Sequence, residues 1–217
     1  MRPSVVGANE AKIEERAPPP KELRTVHRWL SANSRLAFDS SEDKLDLYVS
    51  KLAEEKIRNH AMSGADQRLE VMGFLLGNVY QHGGTIYSLV RDVATTDLEA
   101  SSVRVRFQPE AMERLFESID DCGFSYLLVG WYHSHPGHGC FLSPTDVDTQ
   151  RAMFSKSYHS ALVIDPLRRE IEAFRIENGI AVPRPFAVYW DRHQNPYYGE
   201  TTVRRRLIRK ADEKHED

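Results

Sequence analysis

Five residues carry the chemistry this chain can be read for: Glu70, His133, His135, Ser143 and Asp146. The histidines stand in the run Gly130-Trp131-Tyr132-His133-Ser134-His135-Pro136-Gly137-His138; Ser143 comes eight positions after His135, and Asp146 three after Ser143. Two imidazoles and a carboxylate in this order have the types of a three-ligand catalytic zinc site, in which the fourth tetrahedral position stays open for water. Such a site also needs a group that moves protons, and Glu70 is the best upstream candidate.

These side chains must be held by particular elements. Tyr126 to Tyr132 is apolar, partly β-branched and aromatic, and too short for a helix, so it reads as a buried strand. On a strand, residues i and i+2 face the same way, which projects His133 and His135 together before Pro136-Gly137 ends the element. Ser143-Pro144-Thr145-Asp146 is a helix-start signal: serine as N-cap, proline at the first helical position, an acid at the third. On their own, Ser143 and Asp146 read only as that cap. Following a His-x-His strand end, they close a pocket in which Asp146 can ligate. Glu70 precedes Val71 to Leu76, a second buried strand, and sits at its mouth; alone it would read as a solvated acid. His138 reads as a loop histidine at the pocket rim, and Cys140 as a small buried loop residue. His-x-His-x-x-His also opens the metallo-β-lactamase signature, but Gly137 stands where that pattern has an aspartate.

The spacing of Glu70, His133, His135, Ser143 and Asp146 resembles the motif of the JAMM (MPN+) zinc metalloproteases. The flanks Glu70-Val71-Met72-Gly73, Val129 to Gly137, Gly139-Cys140, Leu142-Ser143, Thr149-Gln150, Asp165-Pro166 and Ala173-Phe174 are similar to the family's proteasome-lid deubiquitinase and signalosome deneddylase branch. The resemblance runs from about Leu45 to Ile176. His138, Phe141 and Pro144 depart from that branch, which has an aromatic residue, a tryptophan and a small residue there.

The resemblance implies an α/β MPN domain, a mixed and mainly antiparallel sheet flanked by helices, with N- and C-terminal extensions. It implies one zinc ion on His133, His135 and Asp146, with Glu70 as general base and then general acid, and Ser143 as donor to the developing oxyanion. Residues 94–107 correspond to an insertion that clamps the extended tail of a ubiquitin-like substrate by strand addition. Substrate contacts are therefore expected at Val103 and Val105, and at Cys140. The implied activity removes ubiquitin or a ubiquitin-like modifier from lysine, linked to proteasomal degradation. Expected partners are such conjugates and the proteasome or another MPN-type subunit. A zinc hydrolase of small peptides and an inactive scaffold are the competing readings.

Composition agrees with an ordinary globular chain. Of 217 residues, 41% are hydrophobic, enough for a core, and the net charge of −3 gives no footprint for nucleic acid or membrane. Only Cys122 and Cys140 are present, which argues against a disulfide scaffold and suits a cytoplasmic protein. No apolar run is long enough to span a bilayer. Residues 1–44 read as an N-terminal extension with Pro18-Pro19-Pro20 and an amphipathic helix at Lys21–Leu30. Residues 45–176 read as the catalytic domain and 177–217 as a C-terminal extension ending in the basic run Arg204 to Lys210. Within the domain the pattern predicts an alternating strand at Leu45–Val49, a helix at Ser50–Met62 and a hairpin of Val71–Val79 with Thr85–Val93. It further predicts a strand at Val103–Phe107, a helix at Met112–Ile119 and a closing hairpin around Asp165-Pro166.

Overall fold

A computed structural model describes residues 14–15, 24–25, 27–30, 34, 45–95 and 126–190. In chain order the elements are β1 (Glu14–Glu15), β2 (Arg24–Thr25), β3 (Leu47–Ser50), α1 (Lys51–Ala65), β4 (Met72–His82) and β5 (Thr85–Thr95). They continue with β6 (Leu127–Ser134), α2 (Pro144–Met153), β7 (Ser160–Asp165), β8 (Glu170–Glu177), β9 (Ile180–Pro183) and β10 (Ala187–Tyr189). The strands form one sheet in the order β2-β10-β3-β5-β4-β6-β7-β8-β9, with β1 added to β4. The long pairings β4/β5, β4/β6 and β7/β8 are antiparallel, whereas β3/β5 and β6/β7 are parallel. This is the mixed, mainly antiparallel sheet with flanking helices expected from the sequence.

The β4–β5 hairpin turns on Gly83-Gly84, whose φ values of 55° and 80° lie where only glycine sits without strain. β4 runs further than expected, to His82, which pairs with Thr85. Alternation along β4 divides the core. Leu75 and Val79 join the main apolar cluster with Ala53, Ile57 and Ala61 of α1. Met72, Phe74 and Leu76 face the other way, into a cluster with Trp131 and Phe154 beside α2. The two helices thus cover opposite faces. α1 starts where Ser50 accepts the Ala53 N–H at 3.1 Å, and its residues 53, 57 and 61 repeat at helical spacing toward the sheet.

Three expectations differ from the fold. Lys21–Leu30 is not one helix: Arg24–Thr25 pairs with Val188 and Tyr189, and Arg28–Trp29 form a turn. A ten-residue helix is marginal alone, and the open edge of β10 offers the backbone the hydrogen bonds it needs. Leu30 still packs into the main cluster. The strand expected at Leu45–Val49 starts at Leu47 and runs to Ser50, buried throughout: Leu47 and Val49 enter the main cluster, while Tyr48 and the preceding Leu45 enter a third. After Ile176 the chain adds two strands to the sheet. β9 takes an edge, where proline is tolerated. β10 lies between β2 and β3, with Phe186 and Ala187 buried. Arg184, 3% exposed, fastens this return by donating to the Asp46 carboxylate at 2.9 Å, the His159 carbonyl at 3.2 Å and Ser160 Oγ at 2.5 Å. The strand expected at Val103–Phe107, the helix at Met112–Ile119 and the basic run 204–210 lie outside the described residues.

Candidate metal centre

The site forms where the C-terminal end of β6 meets the N-terminus of α2. In β6, Trp131 and His133 share the α2 face. Their rings stack with centroids 4.6 Å apart and planes 11° from parallel. Trp131 is fixed in turn by its Nε1–H, which donates to Gln150 Oε1 at 2.7 Å, and Gln150 Nε2 donates to the Phe154 carbonyl at 3.0 Å. His135 follows two residues later, its N–H bound to the Ile164 carbonyl at 3.0 Å and its ring 4.7 Å from that of Phe141.

α2 brings the carboxylate. Ser143 is its N-cap, with Pro144 at the first position, and the capping box is reciprocal. Asp146 Oδ2 accepts the Ser143 N–H at 2.7 Å, while Ser143 Oγ accepts the Asp146 N–H at 3.3 Å. The cap therefore aims Asp146 back at the end of β6. Asp146 Oδ2 lies 3.4 Å from His133 Nε2 and 3.8 Å from His135 Nε2, and the two Nε2 atoms are 3.0 Å apart. Three donors about 2.0–2.1 Å from a common tetrahedral centre lie roughly 3.3–3.4 Å from one another. The spacing here brackets that value, so the donor set fits one zinc ion.

The protonation states suit the same use. Burial, then the neighbouring His133, bring the His135 imidazole down to about 4, leaving it neutral and ligand-ready at pH 7. Burial alone would raise the Asp146 carboxyl, but contact with His133 and the Ser143 cap outweigh it and hold the group at about 2. The Nδ1 atoms of both histidines are buried, and their Nε2 atoms face each other and Asp146 Oδ2.

Glu70 lies half-buried, one residue before Val71, which prolongs β4. The Ser134 N–H donates to the Val71 carbonyl and Ser134 Oγ accepts the Val71 N–H, each at 2.9 Å. This pair ties the start of β4 to the residue between the two histidines. Burial raises the Glu70 carboxyl above its usual range, with the His133, Asp146 and His138 charges as the other influences. His138 is exposed and stands apart from the group of three. The Cys140 thiol points to the Val163 carbonyl at 3.3 Å, and burial pushes its ionisation up. Val103 and Val105 lie outside the described residues.

Ser134, Gln150 and Asp165 were not singled out by their own chemistry. Asp165, fully buried, accepts the N–H groups of Gly137 at 2.9 Å, Gly139 at 2.7 Å, Leu167 at 3.0 Å and Arg168 at 3.0 Å. Burial works to raise its carboxyl, but these donors prevail and hold it below the usual carboxylate range. Its place before Pro166 in the sequence is the one visible signal.

Residues 43–157 match the family model described as "JAB1/Mov34/MPN/PAD-1 ubiquitin protease". The chain belongs to this family. It is 40% identical over 129 residues to "COP9 signalosome complex subunit 5" of Drosophila melanogaster, covering 57% of this chain and 37% of that protein. It is 37% identical over 174 residues to the protein of the same name in Gibberella zeae, covering 69% of this chain and 49% of the relative. "26S proteasome regulatory subunit RPN11" of Eremothecium gossypii is 33% identical over 162 residues, 71% of this chain and 50% of that protein. The chain thus matches half or less of the length of these relatives. Among the described residues no helix is long and apolar enough to cross a membrane.

Proposed function

We propose that this chain is a zinc-dependent isopeptidase that removes ubiquitin or a ubiquitin-like modifier from lysine. The observation that carries the reading is the convergence of His133 Nε2, His135 Nε2 and Asp146 Oδ2 within 3.0–3.8 Å beside the half-buried Glu70. The modifier class rests on family membership. When bound, zinc supplies a Lewis acid for the scissile carbonyl and makes water a stronger acid near neutral pH.

The protein's own residues then divide the work. His133, His135 and Asp146 hold the ion. Glu70 takes a proton from the attacking water and returns it to the departing lysine amine; burial raises its pKa, which makes its carboxylate a stronger base than that of an exposed glutamate. Ser143 Oγ accepts the Asp146 N–H, which leaves its own O–H free to donate to the oxyanion that develops at the carbonyl. Trp131 and Gln150 keep His133 in place. Cys140 and the segment bearing Val103 and Val105 are the proposed contacts to the modifier tail.

We place the protein in the cytoplasm, acting on such conjugates beside the proteasome or another MPN-type subunit, with residues 45–176 as the catalytic unit. The test is direct. The full chain, with zinc, is incubated with ubiquitin and ubiquitin-like proteins joined through a lysine isopeptide bond, with chelator and zinc add-back as arms. Cleavage that stops with chelator and returns with zinc is expected. A zinc-loaded chain that cuts short peptides but none of these conjugates would reject the substrate class.

A further inference from the structure

The most connected buried acid outside the proposed ligand set is Asp165. It closes β7, is 0% exposed, and its carboxylate receives backbone N–H groups from two separate loops. Oδ1 takes Gly137, Leu167 and Arg168, while Oδ2 takes Gly139. Gly137 and Gly139 belong to the loop that leaves His135; Leu167 and Arg168 belong to the β7–β8 turn.

The loop is shaped for this contact. Gly137 and Gly139 have φ values of 87° and 81°, in the left-handed region that other residues avoid. Left-handed residues in a short loop can turn successive N–H groups toward one anion, which is how backbone nests hold carboxylates and phosphates. Leu167 completes the junction: a side chain at Gly137 would meet its Cδ1 at 3.6 Å. The same loop carries Cys140, bonded to Val163 of β7, and Phe141, whose ring lies against His135.

We propose that Asp165 is a positioning residue of the proposed isopeptidase site, on which this inference rests: it anchors the loop after His135 to the β7–β8 turn and so fixes the wall that holds the His135 ring. Asp165 touches neither zinc nor substrate. It acts through Gly137 and Gly139 on the loop, through the loop on Phe141, and through Phe141 on His135. A ligand ring held by its surroundings binds metal more tightly than one free to turn, and loss of such support typically weakens metal affinity about 10–100-fold.

The experiment uses the full chain and compares wild type, Asp165→Asn and a core control, Val90→Ala. Asn keeps an oxygen for Gly137, Leu167 and Arg168 but sets an NH₂ against the Gly139 N–H. Amide exchange is followed at Gly137 and Gly139, and zinc affinity by chelator competition. Asp165→Asn is expected to speed exchange at Gly139 at least about tenfold and to weaken zinc about tenfold or more. Val90→Ala lowers the melting temperature and moves neither. A folded Asp165→Asn with wild-type zinc affinity overturns the proposal, whether or not its exchange changes. If Asn prevents folding, wild-type protein decides: Gly137 and Gly139 amides that exchange as fast as open-loop amides overturn it, and protected ones support it. Exchange needs no turnover, so failure to cleave any conjugate counts against the functional reading alone.

Discussion

His133 lies flat on Trp131, the ring centroids 4.6 Å apart, and Trp131 is itself bound through Nε1 to Gln150 of α2. The indole therefore joins β6, which carries His133 and leads into His135, to the helix that supplies the third proposed ligand. Trp131→Phe keeps a ring under His133 but leaves Gln150 Oε1 buried without its donor, which costs about 1–3 kcal/mol. We expect a lower melting temperature and zinc affinity weakened about tenfold, since supporting contacts of a ligand are worth that much. Calorimetry and chelator competition measure the two. Unchanged zinc affinity would mean that β6 and α2 hold their register without the indole.

Glu70→Gln separates ligation from proton transfer. The amide fills nearly the same space but cannot take a proton, so turnover should fall by about 10²–10⁴-fold or more. Zinc stoichiometry should remain one per chain, because the three converging donors are His133, His135 and Asp146. His133→Ala or Asp146→Asn should do the reverse and lose the metal first. Elemental analysis beside an isopeptidase assay distinguishes them; metal lost from Glu70→Gln would place that carboxylate among the ligands.

How far the sequence reached follows from how local each signal is. The His133/His135 pairing needs only strand parity, and the Asp146 direction needs only a serine-proline helix start, so both could be read within a few residues. Glu70 is tied to the histidines across 63 residues by the Val71–Ser134 hydrogen bonds, and its position could be approached only through motif spacing. The anchoring by Asp165 left only its place before Pro166 as a signal, because its partners are backbone N–H groups that carry no side-chain signature. Lys21–Leu30 misled for the opposite reason. Its apolar spacing suits a helix, but the edge of β10 decides the conformation of Arg24 and Thr25. The strands after Ile176 gave no such local pattern: β9 takes an edge of the sheet, where its Pro183 is tolerated.

Ser143→Ala tests whether the cap residue also works in catalysis. Loss of an N-cap costs about 1 kcal/mol of stability, and here it also frees one side of the reciprocal box around Asp146. An oxyanion donor is worth more: kcat should drop about 10²-fold or more. Ser143→Asn restores an N-cap acceptor while placing a longer group at the site, so stability should return and kcat should not. If the asparagine variant recovers both, Ser143 acts only as a cap.

The last prediction concerns acid stability and lies away from the metal centre. Glu54 of α1 is 2% exposed and meets His27 Nε2 at 2.9 Å, Arg58 Nε at 3.0 Å and Lys51. Burial would raise its carboxyl, but the hydrogen bonds from His27, Lys51 and Arg58 outweigh it and lower the group from 4.5 to about 2. A carboxyl with a folded pKa below its unfolded one binds protons preferentially in the unfolded chain, so stability falls as pH drops. Glu54's contribution should be full above about pH 4.5 and lost progressively toward pH 2, on the order of 3 kcal/mol in all. Glu54→Gln should be less stable than wild type at pH 7, yet lose less stability between pH 4.5 and 2, so the two curves converge in acid. Urea titrations at stepped pH measure this. Parallel curves would show that the charge of Glu54 gives no net stability.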